Sequence, residues 1–318
     1  MKYLSSKFPN YNFPSPHTSP KMVSSLLTVM TWNMWFDKKN RAQRTETLLN
    51  EVRSYDPDIL ALQEVVQESL EIIIAKMHPT YYIIGTISPE IGYDTIILSK
   101  FPPIEWDRYY LPKTKMGRNL LLTTLQTPTR QITVGTFHLE SVFHPKTKTA
   151  EDLKESQLKY IYAISPINSI LMGDTNLVIN NDPYPFPSPE SPKCPNNPPI
   201  IDIFHMSLPL PLPLSERGIP PNTEPLASPY IIDAGEGDVS SSQPDAHSLG
   251  VCPFSKGAGA ATYCGRTNKY VKNKSIQSRL DRIYVKIKRN SLKVHFYGLT
   301  GTVTQPSDHF GVFAQIEF

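Results

Sequence analysis

Apolar and polar residues along this chain form short blocks, most of them too brief for anything but strands. Strand-like blocks run over Leu26–Asn33, Ile59–Gln63, Tyr81–Ile84, Thr95–Leu98, Leu120–Gln126, Ile132–Leu139, Ile170–Met172, Arg282–Lys286 and Val312–Phe318. Helical patterns cover Arg41–Ser54, Gln67–Met77 and Ala150–Ala163. Many short strands with few helices predict an α/β (α+β) fold, with two sheets packed face to face and helices outside.

A proline-rich segment interrupts this pattern from Asp182 to Pro229. Proline donates no backbone hydrogen bond, so the segment cannot join a sheet interior. We expect an insertion that loops out of the core, and prefer a passive loop to a ligand for an SH3-like partner. The predicted organisation is a disordered tail at residues 1–27, which lacks the apolar core of a secretory signal, and one domain at residues 28–318.

Charge and cysteine content narrow the possible classes of protein. The 318 residues carry a net charge of only +3, so bulk charge does not indicate nucleic-acid binding. A basic stretch between Lys269 and Lys293 is equally consistent with a phosphate-binding strip and with a solvated strand face. The three cysteines are odd in number without CxxC spacing, which predicts neither a disulfide framework nor a zinc site. With no apolar run long enough for a bilayer, we expect an intracellular monomer, in the nucleus or the cytoplasm.

Four polar clusters follow or precede predicted strands, where a sandwich gathers its loops into one cleft. Singly, each has an ordinary explanation, such as a turn former or a helix-terminal acid. Together they place acids, amides and an imidazole in the order Thr31-Trp32-Asn33, Gln63-Glu64, Gly173-Asp174-Thr175-Asn176 and Ser307-Asp308-His309.

This set resembles the endonuclease/exonuclease/phosphatase superfamily, and the resemblance covers nearly the whole chain after residue 27. It implies a four-layered α/β/β/α sandwich of the DNase I-like type and a hydrolase of phosphoric esters. Glu64 would bind magnesium, a hard cation that prefers oxygen, and Asp308 would support it through water; manganese stays open. Asp174 would orient or deprotonate the attacking water, while Asn33 and Asn176 would hold the phosphate or the water. His309, oriented by Asp281, would donate to a non-bridging oxygen.

Further local sequence resembles the 5′-tyrosyl-DNA phosphodiesterases within this superfamily. The segments that carry the likeness are HLES (His138–Ser141), GDTNL (Gly173–Leu177), the arginine-bearing stretch Met116–Leu121 and SDHFG (Ser307–Gly311). The resemblance implies that His138 and Ser141 contact the 5′-phosphate, that Tyr93 and Arg118 form a cation–π pair, and that Tyr263 packs on the DNA end.

Three features depart from the family pattern. Met34 and Trp35 follow TWN where a small or acidic residue is usual, and Val178 stands where a basic residue is expected. The proline-rich insertion comes soon after Asp174, where it could reshape the substrate groove.

The implied activity is magnesium-dependent hydrolysis of 5′-phosphotyrosyl-DNA to a 5′-phosphate, as in repair of topoisomerase-linked ends. The alternatives are another superfamily hydrolase, acting as a DNA endonuclease or exonuclease or as a lipid or nucleotide phosphatase, and a non-catalytic scaffold. The complete catalytic set argues against the scaffold.

Overall fold

The computed structural model describes residues 26–141, 148–177, 200–202, 261–287 and 293–317. Three helices lie in this part of the chain: α1 (Arg41–Tyr55), α2 (Gln67–Met77) and α3 (Lys148–Ile164). The first eight strands are β1 (Leu26–Asn33), β2 (Ile59–Val66), β3 (Tyr82–Ile84), β4 (Tyr93–Ser99), β5 (Pro103–Tyr110), β6 (Asn119–Gln126), β7 (Gln131–His138) and β8 (Ser169–Asp174). They are followed by β9 (Ile200–Asp202), β10 (Tyr263–Cys264), β11 (Gln277–Ser278), β12 (Asp281–Lys286), β13 (Lys293–Thr300) and β14 (Gly311–Glu317).

The strands form two six-stranded mixed sheets and one two-stranded pair. The first sheet has the order β13-β14-β1-β2-β4-β3, and the second has the order β5-β6-β7-β8-β12-β9. Among the described strands, only β1–β2 in the first sheet and β7–β8 in the second pair in parallel. These two parallel pairs lie at the centres of their sheets. The residues at the ends of these four strands therefore have positions fixed by neighbouring strands on both sides.

Apolar side chains fill three interfaces between four layers. Between the sheets, Val29 and Ala61 pack with Val134, Ile170 and Ile283. Helices α1 and α2 cover the outer face of the first sheet through Leu48, Leu49 and Ile73, which lie in one cluster with Leu60 and Ile96. Helix α3 covers the second sheet through Leu158 and Ile161, which pack with Phe137 and Leu171. The predicted α/β/β/α sandwich is confirmed.

The predicted helices and strands are present with shifts of at most three residues at their ends, but two long strands were missed. Strands β5 and β13 lie at the edges of their sheets, and much of each is exposed or half-buried. Their sequences therefore lack a continuous buried side, which is the signal that identified the central strands.

The predicted proline-rich insertion is not wholly outside the sheets. Ile200–Asp202 lies within it and pairs with β12 as the edge strand β9. An edge position suits the segment, because neighbouring prolines cannot supply the donors that an interior strand needs. The rest of the insertion, and the predicted tail up to residue 25, lie outside the described residues.

Two expectations about charge and cysteine need correction. The basic stretch is not one solvent-facing strip, because Arg279, Arg282 and Lys286 are buried. Lys286 donates to the carbonyl oxygens of Tyr162 and Ser165 at 2.9 and 2.7 Å. Cys264 is disulfide-bonded, contrary to the expectation from cysteine number and spacing. Within the described segments, no helix has both the length and the apolar character needed to cross a membrane.

Close contact between β7 and β8 explains why glycine precedes Asp174. A Cβ atom on Gly173 would collide with the backbone carbonyl of Phe137 on the neighbouring strand. Backbone atoms in the middle of a sheet cannot move aside as a flexible side chain can. Gly173 therefore lets β8 approach β7 closely enough to set the position of Asp174.

We expect Gly173→Ala to lower the free energy of unfolding by about 3 kcal/mol, because the two strands must separate to admit the methyl group. Chemical denaturation would measure the loss. Gly92→Ala is the matched control: no other heavy atom lies within 4 Å of its Cβ position, so only its positive φ of 81° is unfavourable. That conformation costs about 1 kcal/mol. A loss at Gly173 no larger than at Gly92 would contradict this account.

Candidate active site

The register of the second sheet brings three polar side chains together at one edge. His138 ends β7, Asp174 ends β8 and Asp281 begins β12. His138 and Asp281 are both direct cross-strand partners of Asp174. Because β7 runs parallel and β12 antiparallel to β8, all three residues lie at the same end of the sheet.

The first sheet contributes Asn33 and Glu64 from its parallel pair. Asn33 is the last residue of β1, and Glu64 lies where the pairing of β2 with β4 shifts register between Leu62 and Val65. Glu64 has a positive φ of 57°, a conformation that non-glycine residues rarely adopt and that such irregularities allow. The Asn33 amide donates to Glu64 Oε1 at 3.2 Å and to Asp174 Oδ2 at 3.0 Å. One amide therefore joins the two sheets at the site.

His309 enters from the loop before β14 and is held from both sides. Its Nδ1 lies 2.8 Å from Asp281 Oδ2, and its carbonyl accepts the Trp32 indole N–H at 3.1 Å. Burial by itself lowers the pKa of His309, but the carboxylates of Asp281 and Asp174 outweigh it and hold that pKa well above its usual value. The ring is therefore an imidazolium, with Nε2 directed at Asp174 Oδ2 at 3.8 Å.

Asp174 is the buried acid at the centre of the site. Its Oδ1 accepts the backbone N–H of Asn176 at 2.8 Å, and its Oδ2 faces Asn33, His138 and His309. Burial alone would raise the pKa of Asp174, but the neighbouring imidazoles and these hydrogen bonds hold it below its usual value. The carboxyl group is therefore ionised and oriented on both oxygens.

Arg118 determines the tautomer of His138. A guanidinium group can only donate, and Arg118 Nη1 lies 2.6 Å from His138 Nδ1, so Nδ1 must be the acceptor. Burial and the Arg118 charge hold the pKa of His138 well below its usual value. Neutral His138 consequently carries its proton on Nε2, which lies 3.4 Å from Asp174 Oδ2.

The remaining predicted substrate contacts lie around this group. Arg118 also donates to Ser141 Oγ at 3.0 Å, and its Cζ lies 5.5 Å from the centroid of the Tyr93 ring. The half-buried Tyr263 ring lies 5.0 Å from the His309 ring at an angle of 54°. Asn176 directs its side-chain amide to the Leu139 carbonyl at 3.1 Å, so it braces the loop around Asp174 as well as lining the pocket.

These residues surround a pocket of about 390 Å³. Its lining includes Glu64, His138, Asp174, Tyr263, Asp308 and His309. Three of the four predicted polar clusters thus line one cavity, and Asn33 of the remaining cluster joins them through its amide contacts with Glu64 and Asp174. Arg118 and Tyr93 do not line the pocket. Arg118 lies behind His138 and Ser141 and orients these two side chains through hydrogen bonds.

Comparison with known proteins identifies the class. The model of the "Endonuclease/Exonuclease/phosphatase family" matches residues 30–309. The chain belongs to this family.

Two relatives and two solved structures refine the comparison. Tyrosyl-DNA phosphodiesterase 2 of Rattus norvegicus is 32% identical over 167 residues, and that of Mus musculus is 31% identical over 167 residues. Each match covers 51% of this chain, but only 45% and 44% of the relatives, so the chain matches less than half of their length.

Among structures, Danio rerio TDP2 complexed with a single-strand DNA product has a TM-score of 0.63 at 19% identity and covers 93% of this chain and 100% of its own. TDP2 from C. elegans has a TM-score of 0.60 at 19% identity and covers 92% of this chain and 75% of its own. At these identities the structural likeness establishes the fold.

The acids of the site fit a divalent cation. Burial and the nearby charge of Asp308 raise the pKa of Glu64 to about 7, and burial also raises the pKa of Asp308. Two half-buried carboxylates with raised pKa values are the oxygen donors whose charge a hard cation would compensate. Ligand atoms of Asp174, Asp281 and His309 also lie within 4.8 Å of one another. In that second group His309 Nδ1 is bound to Asp281, so the Glu64 and Asp308 carboxylates suit magnesium better.

Sequence reasoning missed three residues that shape this family member's pocket. Lys154 of α3 is buried, lines the pocket and donates to the Asn176 carbonyl at 2.7 Å while it pairs with Glu151 at 3.1 Å. Phe36 also lines the pocket, and Arg44 of α1 supports the loop that carries Phe36. A lysine or arginine on an amphipathic helix carries no sequence signal that separates it from an exposed one.

We expect Glu64→Gln to abolish the stabilisation of the protein by magnesium. Magnesium at 100 times its dissociation constant stabilises a folded protein by about 2.7 kcal/mol, visible as a rise in Tm. The variant should lose this rise, yet be no less stable than the wild type in EDTA, since burial and the charge of Asp308 already disfavour the ionised Glu64 carboxylate. Glu68→Gln, four residues along on α2, is the control and should keep the full rise in Tm. An unchanged magnesium response in Glu64→Gln would exclude Glu64 as a ligand.

Proposed function

We propose that this protein hydrolyses 5′-phosphotyrosyl-DNA in the presence of magnesium and leaves a 5′-phosphate. The observation that carries the proposal is the contact of Arg118 with both His138 and Ser141 beside the ionised Asp174. The identity to mammalian tyrosyl-DNA phosphodiesterase 2 supports the same substrate. Repair of topoisomerase-linked DNA ends, inside the cell, is the corresponding cellular role that we propose.

Asp174 is suited to activate the attacking water. Its carboxylate is ionised, and both of its oxygens are fixed by hydrogen bonds from Asn33 and from the Asn176 backbone. A water beside Oδ2 would transfer its proton to Asp174 as the oxygen attacks phosphorus in line with the leaving group. Preorganisation of the base means that little reorientation is needed during the reaction.

His309 is suited to stabilise the charge that develops on the phosphate. The imidazolium is already formed, and Asp281 holds the ring by its other nitrogen. Its Nε2–H would donate to a non-bridging oxygen, which becomes more negative in the transition state. On another side of the phosphate, the Nε2–H of His138 and the hydroxyl of Ser141 offer neutral donors, and Arg118 behind them supplies positive charge.

The metal and the leaving group complete the proposed reaction. Magnesium, or manganese, held by Glu64 with Asp308 in support would supply positive charge to a phosphate oxygen. The tyrosine phenolate is a good leaving group, so the chain needs no strong general acid for it. Phenolic phosphodiesters are therefore natural substrates for these residues.

The test is incubation of the purified chain with a short DNA that carries a 5′-phosphotyrosine, in magnesium and in EDTA. We expect metal-dependent release of tyrosine and a 5′-phosphate product. Asp174→Asn should lower kcat by roughly 10³-fold, because the general base is lost while its size is kept. Asp107→Asn, an exposed acid on the edge strand β5, is the control and should retain the wild-type rate.

Parallel substrates distinguish the alternatives. An unmodified duplex, an abasic-site duplex, a phosphoinositide and a nucleotide phosphate are offered under the same conditions. Hydrolysis of any of these without release of tyrosine from the first substrate would contradict the tyrosyl assignment and favour another hydrolase of the family. Failure on every substrate in magnesium and manganese would favour a non-catalytic scaffold.

A further inference from the structure

The loop between β1 and α1, residues 34–40, contacts the site through its backbone. The N–H of Trp35 donates to Asn33 Oδ1 at 3.0 Å, and the N–H of Phe36 donates to Glu64 Oε2 at 3.0 Å. Trp35 adopts a positive φ of 59°, which an L-residue with a bulky side chain rarely does. This turn orients two residues of the site and directs the following side chain, Phe36, into the wall of the pocket.

Arg44 holds this loop in a single conformation. Its buried guanidinium uses all five of its N–H groups on backbone carbonyls. The acceptors are Lys39 (2.9 Å), Met34 (2.9 Å), Pro306 (3.2 Å), Trp35 (3.0 Å) and Asp37 (2.6 Å). Four of these belong to the loop and one to the segment just before Asp308 and His309. The loop is therefore fixed both to α1 and to the other side of the site.

The two aromatic residues of the loop differ in what they can offer a ligand. Trp35 is half-buried between the Arg44 guanidinium, 4.5 Å from its ring, and the Tyr270 ring at 4.9 Å. Phe36 remains 41% exposed. Its ring stacks on Tyr93 with centroids 5.2 Å apart and planes within 9°. Phe36 is thus an exposed aromatic side chain with a fixed orientation.

A continuous series of contacts connects Phe36 to the phosphate side of the pocket. Tyr93, on which Phe36 stacks, lies 5.5 Å from the Arg118 guanidinium. Arg118 in turn contacts His138 and Ser141, the residues that would hold the 5′-phosphate. Because each contact in this series is shorter than the 5.5 Å that separates Arg118 from the Tyr93 centroid, or equal to it, a strand whose 5′-phosphate lay beside His138 and Ser141 would have its first or second base near the Phe36 ring.

We propose that Phe36 is a stacking platform for an unpaired nucleobase in the first or second nucleotide of the strand whose 5′-phosphate occupies the site. The inference rests on the proposed function for the strand and its polarity. Every base has a flat π face, so stacking on Phe36 accepts any sequence but requires the base to be unpaired. Phe36 would therefore favour frayed or single-stranded 5′ ends over blunt duplex ends.

The test measures binding rather than hydrolysis. A single strand with a plain 5′-phosphate and a 3′ fluorophore is titrated with the protein in EDTA, and anisotropy gives Kd. The same strand is then tested with an abasic residue at nucleotide 1, 2 or 5. We expect loss of the base at position 1 or 2 to weaken wild-type binding about 10-fold, the usual effect of one base–aromatic stack. Position 5 should have little effect.

Substitutions at Phe36 determine whether its ring is responsible. In Phe36→Ala and Phe36→Leu, removal of that base should weaken binding by about 2-fold or less. Phe36→Tyr keeps an aromatic ring and should show the same loss of affinity as the wild type. Ile74→Ala removes another exposed apolar side chain, 44% exposed on α2, and should keep the full penalty. A merely structural role of Phe36 would weaken binding to the intact and abasic strands equally, and that result would overturn the proposal.

The remaining outcomes are also decisive. No penalty at positions 1 and 2 in the wild type, or no binding of the intact strand, would overturn the platform. If removal of the base still weakened binding by the same factor in Phe36→Ala, the base would contact another residue and the proposal would be wrong. The binding result does not depend on tyrosine release, so a protein that shows the base penalty but fails to hydrolyse 5′-phosphotyrosyl-DNA would retain the platform and lose the proposed substrate.

Discussion

A buried carboxylate is stable in its ionised form only when donors and positive charge replace the water it has lost, and the active site of this chain is arranged around that requirement at Asp174. The donors come from separate parts of the sequence: Asn33 ends β1, His138 ends β7, and His309 precedes β14. None of these contacts forms unless both sheets have their native register. The chemistry of one acid therefore depends on the complete sandwich rather than on any local motif.

A second polar contact links the sheets just behind the site. The Gln63 amide, fully buried, donates to Thr31 in its own sheet at 3.1 Å and to Thr136 in the other at 3.0 Å. Gln63 and Thr31 directly precede Glu64 and Trp32-Asn33, and Thr136 lies two residues before His138. An apolar interface could slide at little cost, whereas a satisfied buried amide fixes relative position. This contact explains how two sheets joined mainly by aliphatic side chains can hold catalytic groups to hydrogen-bonding distance.

Sequence reasoning located residues of the site that stand at the end of a buried strand. Asn33, Glu64, Asp174 and His309 were singled out because polar clusters next to strong apolar blocks together resemble the motif set of the family, and the sandwich brings those strand ends together. It failed where the role depends on a tertiary contact alone. Arg44 and Lys154 look like ordinary helix-surface cations, yet both are buried on backbone carbonyls. The edge strands β5 and β13 were not predicted for a related reason, because exposed strands lack the apolar periodicity that identifies buried ones.

The loop after β1 shows how residues shared by the family can lie beside a surface that is particular to this chain. Its sequence departs from the family pattern, because Met34 and Trp35 follow Asn33 where a small or acidic residue is usual. In the structure the backbone N–H groups of Trp35 and Phe36 serve Asn33 and Glu64, and an N–H donor does not depend on residue type. Met34 is buried in the core, whereas Phe36 is 41% exposed, so the Phe36 side chain has room to vary. The strained φ of Trp35 is held by the five hydrogen bonds of Arg44, which lies outside the pocket. Within the seven residues 34–40, the backbone thus orients Asn33 and Glu64, while the exposed Phe36 side chain offers a surface that can differ between members of the family.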